Sequence, residues 1–192
     1  MLPDGSDPTA PATAPPDPDA WDRTFLPFPE PQVDLLVRLL LRDVLRRHPD
    51  IDAADVVGHA DVAPERRVDP GPLFPWRRLA QGGIGVRYDE AAVAQRITSL
   101  ERDPPELAFV QRALAAWGHA IEARGREDAR SRYALRAFQL HFRPGRHDGR
   151  VDAETTAVLP DLLERHRPDA WRRLVDGWPA VVGVVDPVTN GP

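Results

Sequence analysis

The sequence has no cysteine, no lysine, one methionine and two tyrosines among its 192 residues. Without cysteine the chain can form no disulfide, thiolate metal site or lipidated N-terminal cysteine. The compartment stays open, because many exported bacterial domains also lack cysteine. All 25 basic residues are arginine, which fits GC-rich coding better than it fits a function. A formal net charge of −5 gives no argument for a nucleic-acid partner. No segment reaches the apolar length of a transmembrane segment. Met1-Leu2-Pro3-Asp4-Gly5 lacks the basic and apolar regions of a signal peptide, so the protein either stays inside the cell or has its true beginning upstream.

Proline, by contrast, is abundant, at 22 residues. Residues 1–24 are mostly Pro, Ala, Asp and Thr, too polar to offset the entropy of ordering them, and are expected to be loop or disordered. Phe25-Leu26-Pro27-Phe28-Pro29 then leads into a helix, with Pro31 suited to its first turn. Val33, Leu36, Val37, Leu40 and Val44 follow the i, i+3, i+4 rule, widened by Leu35, Leu39, Leu41 and Leu45. Asp34, Arg38, Arg42 and Arg46 keep one side wet, and Pro49 ends the helix. Burying each aliphatic side chain contributes about 1.5–3 kcal/mol, so a stripe this wide is expected to lie against a sheet. One nearby strand is predicted, Ala54 to Gly58. The alternatives are packing on a second domain or on a second copy of the helix.

After that strand, His59 is followed by a loop rich in Pro and Gly that delivers Asp69 ten residues later. Imidazole nitrogen and carboxylate oxygen are both good zinc ligands, and a rigid loop is a sound way to fix two of them. From these two residues alone, a surface histidine beside a Pro-rich linker is the favoured reading. The longer string is more specific: Gly58-His59-Ala60-Asp61-Val62-Ala63-Pro64, Arg67-Val68-Asp69-Pro70-Gly71 and Phe74-Pro75-Trp76. It resembles the second half of the zinc-dependent N-acetylmuramoyl-L-alanine amidases of the type 2 family. The resemblance implies Zn2+ as cofactor, His59 and Asp69 as two of three zinc ligands, and Arg67 as the basic residue that serves the reaction. The family's first zinc histidine and a glutamate on a later strand find no match before Gln32, so the chain is expected to lack the N-terminal part of that domain. Trp76 to Ala80 reads as a short closing helix, and Gln81-Gly82-Gly83-Ile84-Gly85 as a linker-like break.

A second unit is expected from near Asp103, whose carboxylate precedes Pro104-Pro105-Glu106 as a helix cap. Leu107, Val110, Leu114 and Trp117 line the first helix, which Gly118 stops. A second helix starts after Asp128, with Ala134, Leu135 and Phe138 inward. A third starts at Asp152, with Val158, Leu159 and Leu162 on its apolar side. The strings Val110-Gln111, Trp117-Gly118, Ala137-Phe138-Gln139-Leu140-His141-Phe142-Arg143-Pro144 and Asp148-Gly149-Arg150-Val151-Asp152 resemble a peptidoglycan-binding-like domain.

The expected fold is therefore α+β: part of a mixed-sheet α/β amidase domain, then a three-helix peptidoglycan-binding-like bundle. The segments are a Pro-rich stretch at 1–24, the amidase part at 25–85, the bundle at 100–168 and a tail at 169–192. The implied reaction is hydrolysis of the amide between N-acetylmuramic acid and L-alanine in peptidoglycan or muropeptides, impaired in this chain because a ligand and the acid are missing. The alternative is a non-catalytic wall-binding module with a relic half-site. Arg67 is the catalytic candidate as a permanent cation beside the oxyanion, since arginine does not act readily as a base. Asp61 is assigned an orienting or turn role, and Glu65 only proximity to the metal loop. His48 reads as a helix-end cation, and His141 as packing or surface. His119, His147 and His166 lie in or near turns without partner spacing. A cell-envelope location follows from the family, with the cytoplasm open.

Overall fold

The first helix starts where proline allows it. In a computed structural model that describes residues 25–176 (backbone only at 39–41), α1 spans Glu30–Leu35 with proline in its first turn. It continues through a π-helical stretch, Leu36–Leu41, into α2, Arg42–Arg47. Val33 is buried, and Leu36, Val37 and Leu45 are partly buried. They pack with Phe28, Val56, Phe74, Trp76, Leu79 and Ile84. The surface that covers the stripe is therefore the segment holding Val56 and Phe74 together with a later short helix that carries Trp76. Arg78 of that helix pairs with Glu30 and, at 2.6 Å, with Asp34. Cover is incomplete, for Leu35 stays 50% and Val44 46% exposed.

The expected mixed sheet is not found: no strand occurs among the described residues. Asp52 accepts a hydrogen bond from the Ala54 N–H and starts a 3-10 turn, Ala53–Asp55, where the strand was predicted. Val56 is extended, but no extended neighbour offers it a ladder, and a lone strand cannot satisfy its own backbone. The α+β assignment is corrected accordingly. One-turn α3, His59–Val62, follows, then α4, Trp76–Gln81, as the sequence predicted.

The remainder is helical: α5 Glu90–Arg102, α6 Leu107–Trp117, α7 Ala129–Phe142, α8 Ala153–His166 and α9 Pro168–Asp176. Val93, Val110, Leu114, Trp117, Leu135, Phe138, Phe142, Val158, Leu159 and Leu162 share one core, with Trp171 and Leu174 of α9 against it. The starts of α7 and α8 follow the sequence: Asp128 accepts from the Ser131 N–H, and Asp152 from the Thr155 N–H. Helix α5 has no counterpart in the prediction. Asp89 caps it, and the buried Asp161 of α8 accepts the Asp89 N–H at 2.8 Å. Asp103 closes α5 rather than opening α6, whose first turn has no side-chain cap. Gly118 ends α6 at φ +130°, outside the range of ordinary residues.

Two buried glutamines hold the bundle's loops. Gln111 accepts the Gly125 N–H at 2.8 Å and donates to the Arg126 carbonyl at 2.9 Å and to Ser131. Gln139 repeats the device one helix later, with Gly149, Arg150 and Thr155. Each clamp satisfies loop backbone that would otherwise be buried unpaired. Of the expected 169–192 tail, residues up to Asp176 belong to α9. The rest of it, like 1–24, lies outside the described residues.

Candidate functional site

Helix α3 is a single turn, so its geometry is set by what surrounds it. Gly58 precedes it, and the Gly58 N–H donates to Asp61 Oδ2 at 2.7 Å. A Cβ at Gly58 would lie 2.8 Å from Pro70 Cδ and 3.1 Å from Trp76 Cζ2, so the backbone must come close there. The Ala60 N–H donates to the Asp69 carbonyl at 2.9 Å, which joins the two ends of the loop. Ala60 and Val68 bury beneath it against Ala137 and Leu140 of α7, with Phe25 alongside. The Asp69–Pro70 peptide is cis.

On this frame His59 Nδ1 and Asp69 Oδ2 lie 3.1 Å apart, with side chains 43% and 60% exposed. Arg67 is exposed two residues before Asp69, and its guanidinium has no carboxylate partner among the described residues. No three His, Cys, Asp or Glu side chains gather around one point among the described residues. Glu65 turns to Arg130 of α7 at 3.1 Å.

Asp61 points inward. Its Oδ2 also meets His141 Nδ1 at 2.9 Å, where both side chains are nearly buried. Burial pushes the Asp61 carboxyl up, but the His141 hydrogen bond and charge, with His119 and the Gly58 N–H, hold it below the ordinary carboxylate value. The His141 ring stacks on Trp76 with centroids 3.8 Å apart. His119, just past α6, is buried with no hydrogen bond of ordinary geometry at either ring nitrogen. Desolvation drives its pKa below the usual histidine value, opposed by the nearby Asp61.

Sequence reasoning read His141 as packing or surface and found no partner spacing for His119. The available signal for His141 was the spacing Ala137, Leu140, His141, one face of α7. His119 had none, since it lies beyond a helix stop. His48 is exposed and His166 partly exposed, while the partly exposed His147 meets Phe25 edge-on with ring centroids 6.5 Å apart. Beside Trp76, a cleft of about 200 Å³ is lined by Phe74, Tyr88, Phe142, Arg77 and Arg87.

Residues 103–159 match the family described as "Putative peptidoglycan binding domain". The N-acetylmuramoyl-L-alanine amidase AmiD of Escherichia coli K12 is 39% identical over 150 residues, covering 76% of this chain and 52% of AmiD. The crystal structure of AmpDh3 from Pseudomonas aeruginosa superposes with a TM-score of 0.70 at 40% identity, over 75% of this chain and 56% of that one. AmiD from E. coli in complex with anhydro-N-acetylmuramic acid-L-Ala-D-γ-Glu-L-Lys gives 0.65 at 38% identity, over 74% and 55%. The chain thus spans about half the length of the relatives it matches.

Proposed function

We propose that this chain carries part of the zinc site of an N-acetylmuramoyl-L-alanine amidase, residues 25–85, joined to a peptidoglycan-binding unit, residues 100–168. The observation that carries this reading is the approach of His59 to Asp69 across a closed loop. Zinc bonds of roughly 2.0–2.2 Å in a tetrahedron set neighbouring donor atoms about 3.4 Å apart. The 3.1 Å between Nδ1 and Oδ2 lies within a few tenths of that edge, and the donor chemistry is suitable. His59 and Asp69 fit zinc as two of its protein ligands. When bound, zinc activates water for hydrolysis and polarises the scissile carbonyl.

The remaining roles belong to this chain's own groups. Arg67 presents a charge that does not titrate, placed to stabilise negative charge gathering on the amide oxygen. A third ligand is not among the described residues. The acidic residue that would serve as base also has no match. These 192 residues by themselves are therefore proposed to hold zinc weakly and to turn over slowly. The substrate class is a muropeptide, in line with the sugar–peptide bound to AmiD. A wall-derived substrate favours the cell envelope, with the cytoplasm as the alternative. No helix among the described residues is long and apolar enough to cross a membrane.

The test is zinc content and release of L-alanine-bearing peptide from anhydro-muropeptides, for the chain and for His59→Ala and Asp69→Ala separately. Each substitution is expected to lower zinc retention; unchanged retention in both refutes the site. Stoichiometric zinc with rapid turnover in the unaltered chain refutes the impairment. A second reading, a wall-binding module without catalysis, is favoured by the match at 103–159 and by the absence of a third ligand among the described residues. Retention of the whole chain on purified sacculi, with no peptide released, decides for it.

A further inference from the structure

The turn that presents His59 is held from outside its own loop. Asp61 Oδ2 takes two hydrogen bonds, one from the Gly58 N–H and one from His141 of α7, 80 residues away. An ionised carboxylate can only accept, so His141 Nδ1 carries the proton in this bond. We infer that His141 is a positioning residue for the candidate site: through Asp61 it fixes the turn at Gly58, and with it the direction in which His59 leaves α3. This rests on the reading of His59 as a ligand and names what holds that ligand in place.

Three further observations support it. The His141 ring cannot swing freely, because it stacks on Trp76 at 3.8 Å and on Phe142 at 4.0 Å. Trp76 in turn lies against Gly58, the residue whose N–H shares the Asp61 oxygen. On the same face of α7, Ala137 and Leu140 pack under Ala60 and Val68, which follow His59 and precede Asp69. The bundle therefore braces both ends of the loop, while the His59–Asp69 pair stays exposed. Rigid support behind an exposed ligand pair suits metal binding, in which two side chains must converge within a few tenths of an ångström.

The experiment is NMR-detected amide hydrogen exchange on the full chain with His141→Phe and His141→Asn. Phe keeps a stacking ring and removes the donor, whereas Asn places an amide N–H where Nδ1 was. Losing a hydrogen bond to a charged acceptor predicts exchange at Gly58 and Ala60 faster by about tenfold or more in the Phe variant. Leu114 and Leu159 in the bundle core change less than about twofold, because a merely local release does not open the core. Asn restores most of the protection. Unchanged exchange at Gly58 and Ala60 overturns the inference, and so does a rise of equal size throughout the bundle. Should Phe fail to fold, His141→Leu is compared with Asn by the same criteria. Zinc retention is measured on the same samples with His59→Ala as control. If that control leaves zinc unchanged, the amidase reading fails while the exchange data still judge His141.

Discussion

His119 gives the sharpest pH prediction. It is 5% exposed, and neither ring nitrogen has a hydrogen bond of ordinary geometry. Its folded pKa lies below the ordinary 6.5, chiefly through desolvation, so the folded ring stays neutral where the unfolded one takes a proton. Stability from this group is therefore complete well above pH 6.5 and is lost as pH falls through that value. Between pH 7.5 and 5.5, one histidine with an unfolded pKa near 6.5 can lose at most about 1.4 kcal/mol. The charges of Asp61 and His141 face the ring, Asp61 lessening this loss and His141 adding to it. The assay is urea unfolding at pH 7.5, 6.5 and 5.5 for the chain and for His119→Leu. The wild type should lose up to about 1.4 kcal/mol more than the variant over that range, with equal denaturant slopes. Parallel pH profiles, or a wild type that gains stability on acidification relative to the variant, would refute the reasoning.

Three other outcomes follow from the packing. Gly149→Ala puts a Cβ 2.5 Å from the Arg132 carbonyl oxygen at φ +71°. It should cost about 2–4 kcal/mol, read as a lower denaturation midpoint. Gln139→Leu leaves the Gly149 N–H, the Arg150 carbonyl and the Thr155 hydroxyl without their partner. A loss of about 2–4 kcal/mol is expected, and a neutral result in chemical denaturation contradicts the clamp. Asp61, held below its ordinary 3.8, stabilises the fold above that value and ceases to as pH falls through the folded pKa. Asp61→Asn should accordingly flatten the acid limb of the stability curve below about pH 4, as followed by circular dichroism.

Much of the helical part could be read locally. Asp128 and Asp152 cap the helices that their positions announce, and Leu114, Phe138 and Leu159 fall in the core that their periodicity marks. Helix α5 was hidden, because Glu90–Arg102 shows only a narrow apolar stripe around Val93 and Ile97 next to a Gly-rich break. Its cap, Asp89, is a local signal that the sequence reading passed over: its carboxylate accepts the Ala91 and Ala92 N–H groups, and Glu90 follows it in the first turn. The strand at Ala54–Gly58 failed for the opposite reason. Val56-Val57 carries strand propensity, but a strand needs a hydrogen-bonding neighbour, and among the described residues none is there.

The sequence by itself determined the string from Gly58 to Trp76 and the caps at Asp128 and Asp152, the caps because each depends on residues three positions apart. The glutamine clamps, in contrast, span 10 to 20 positions and form only in the folded bundle. Tertiary structure alone decided that His59 and Asp69 face one another, and that His141 reaches Asp61 across 80 positions. It also decided that His119 is buried. Short-range spacing dictates dihedrals and faces, whereas these contacts arise only when α7 packs beneath the loop and excludes water from one side of it.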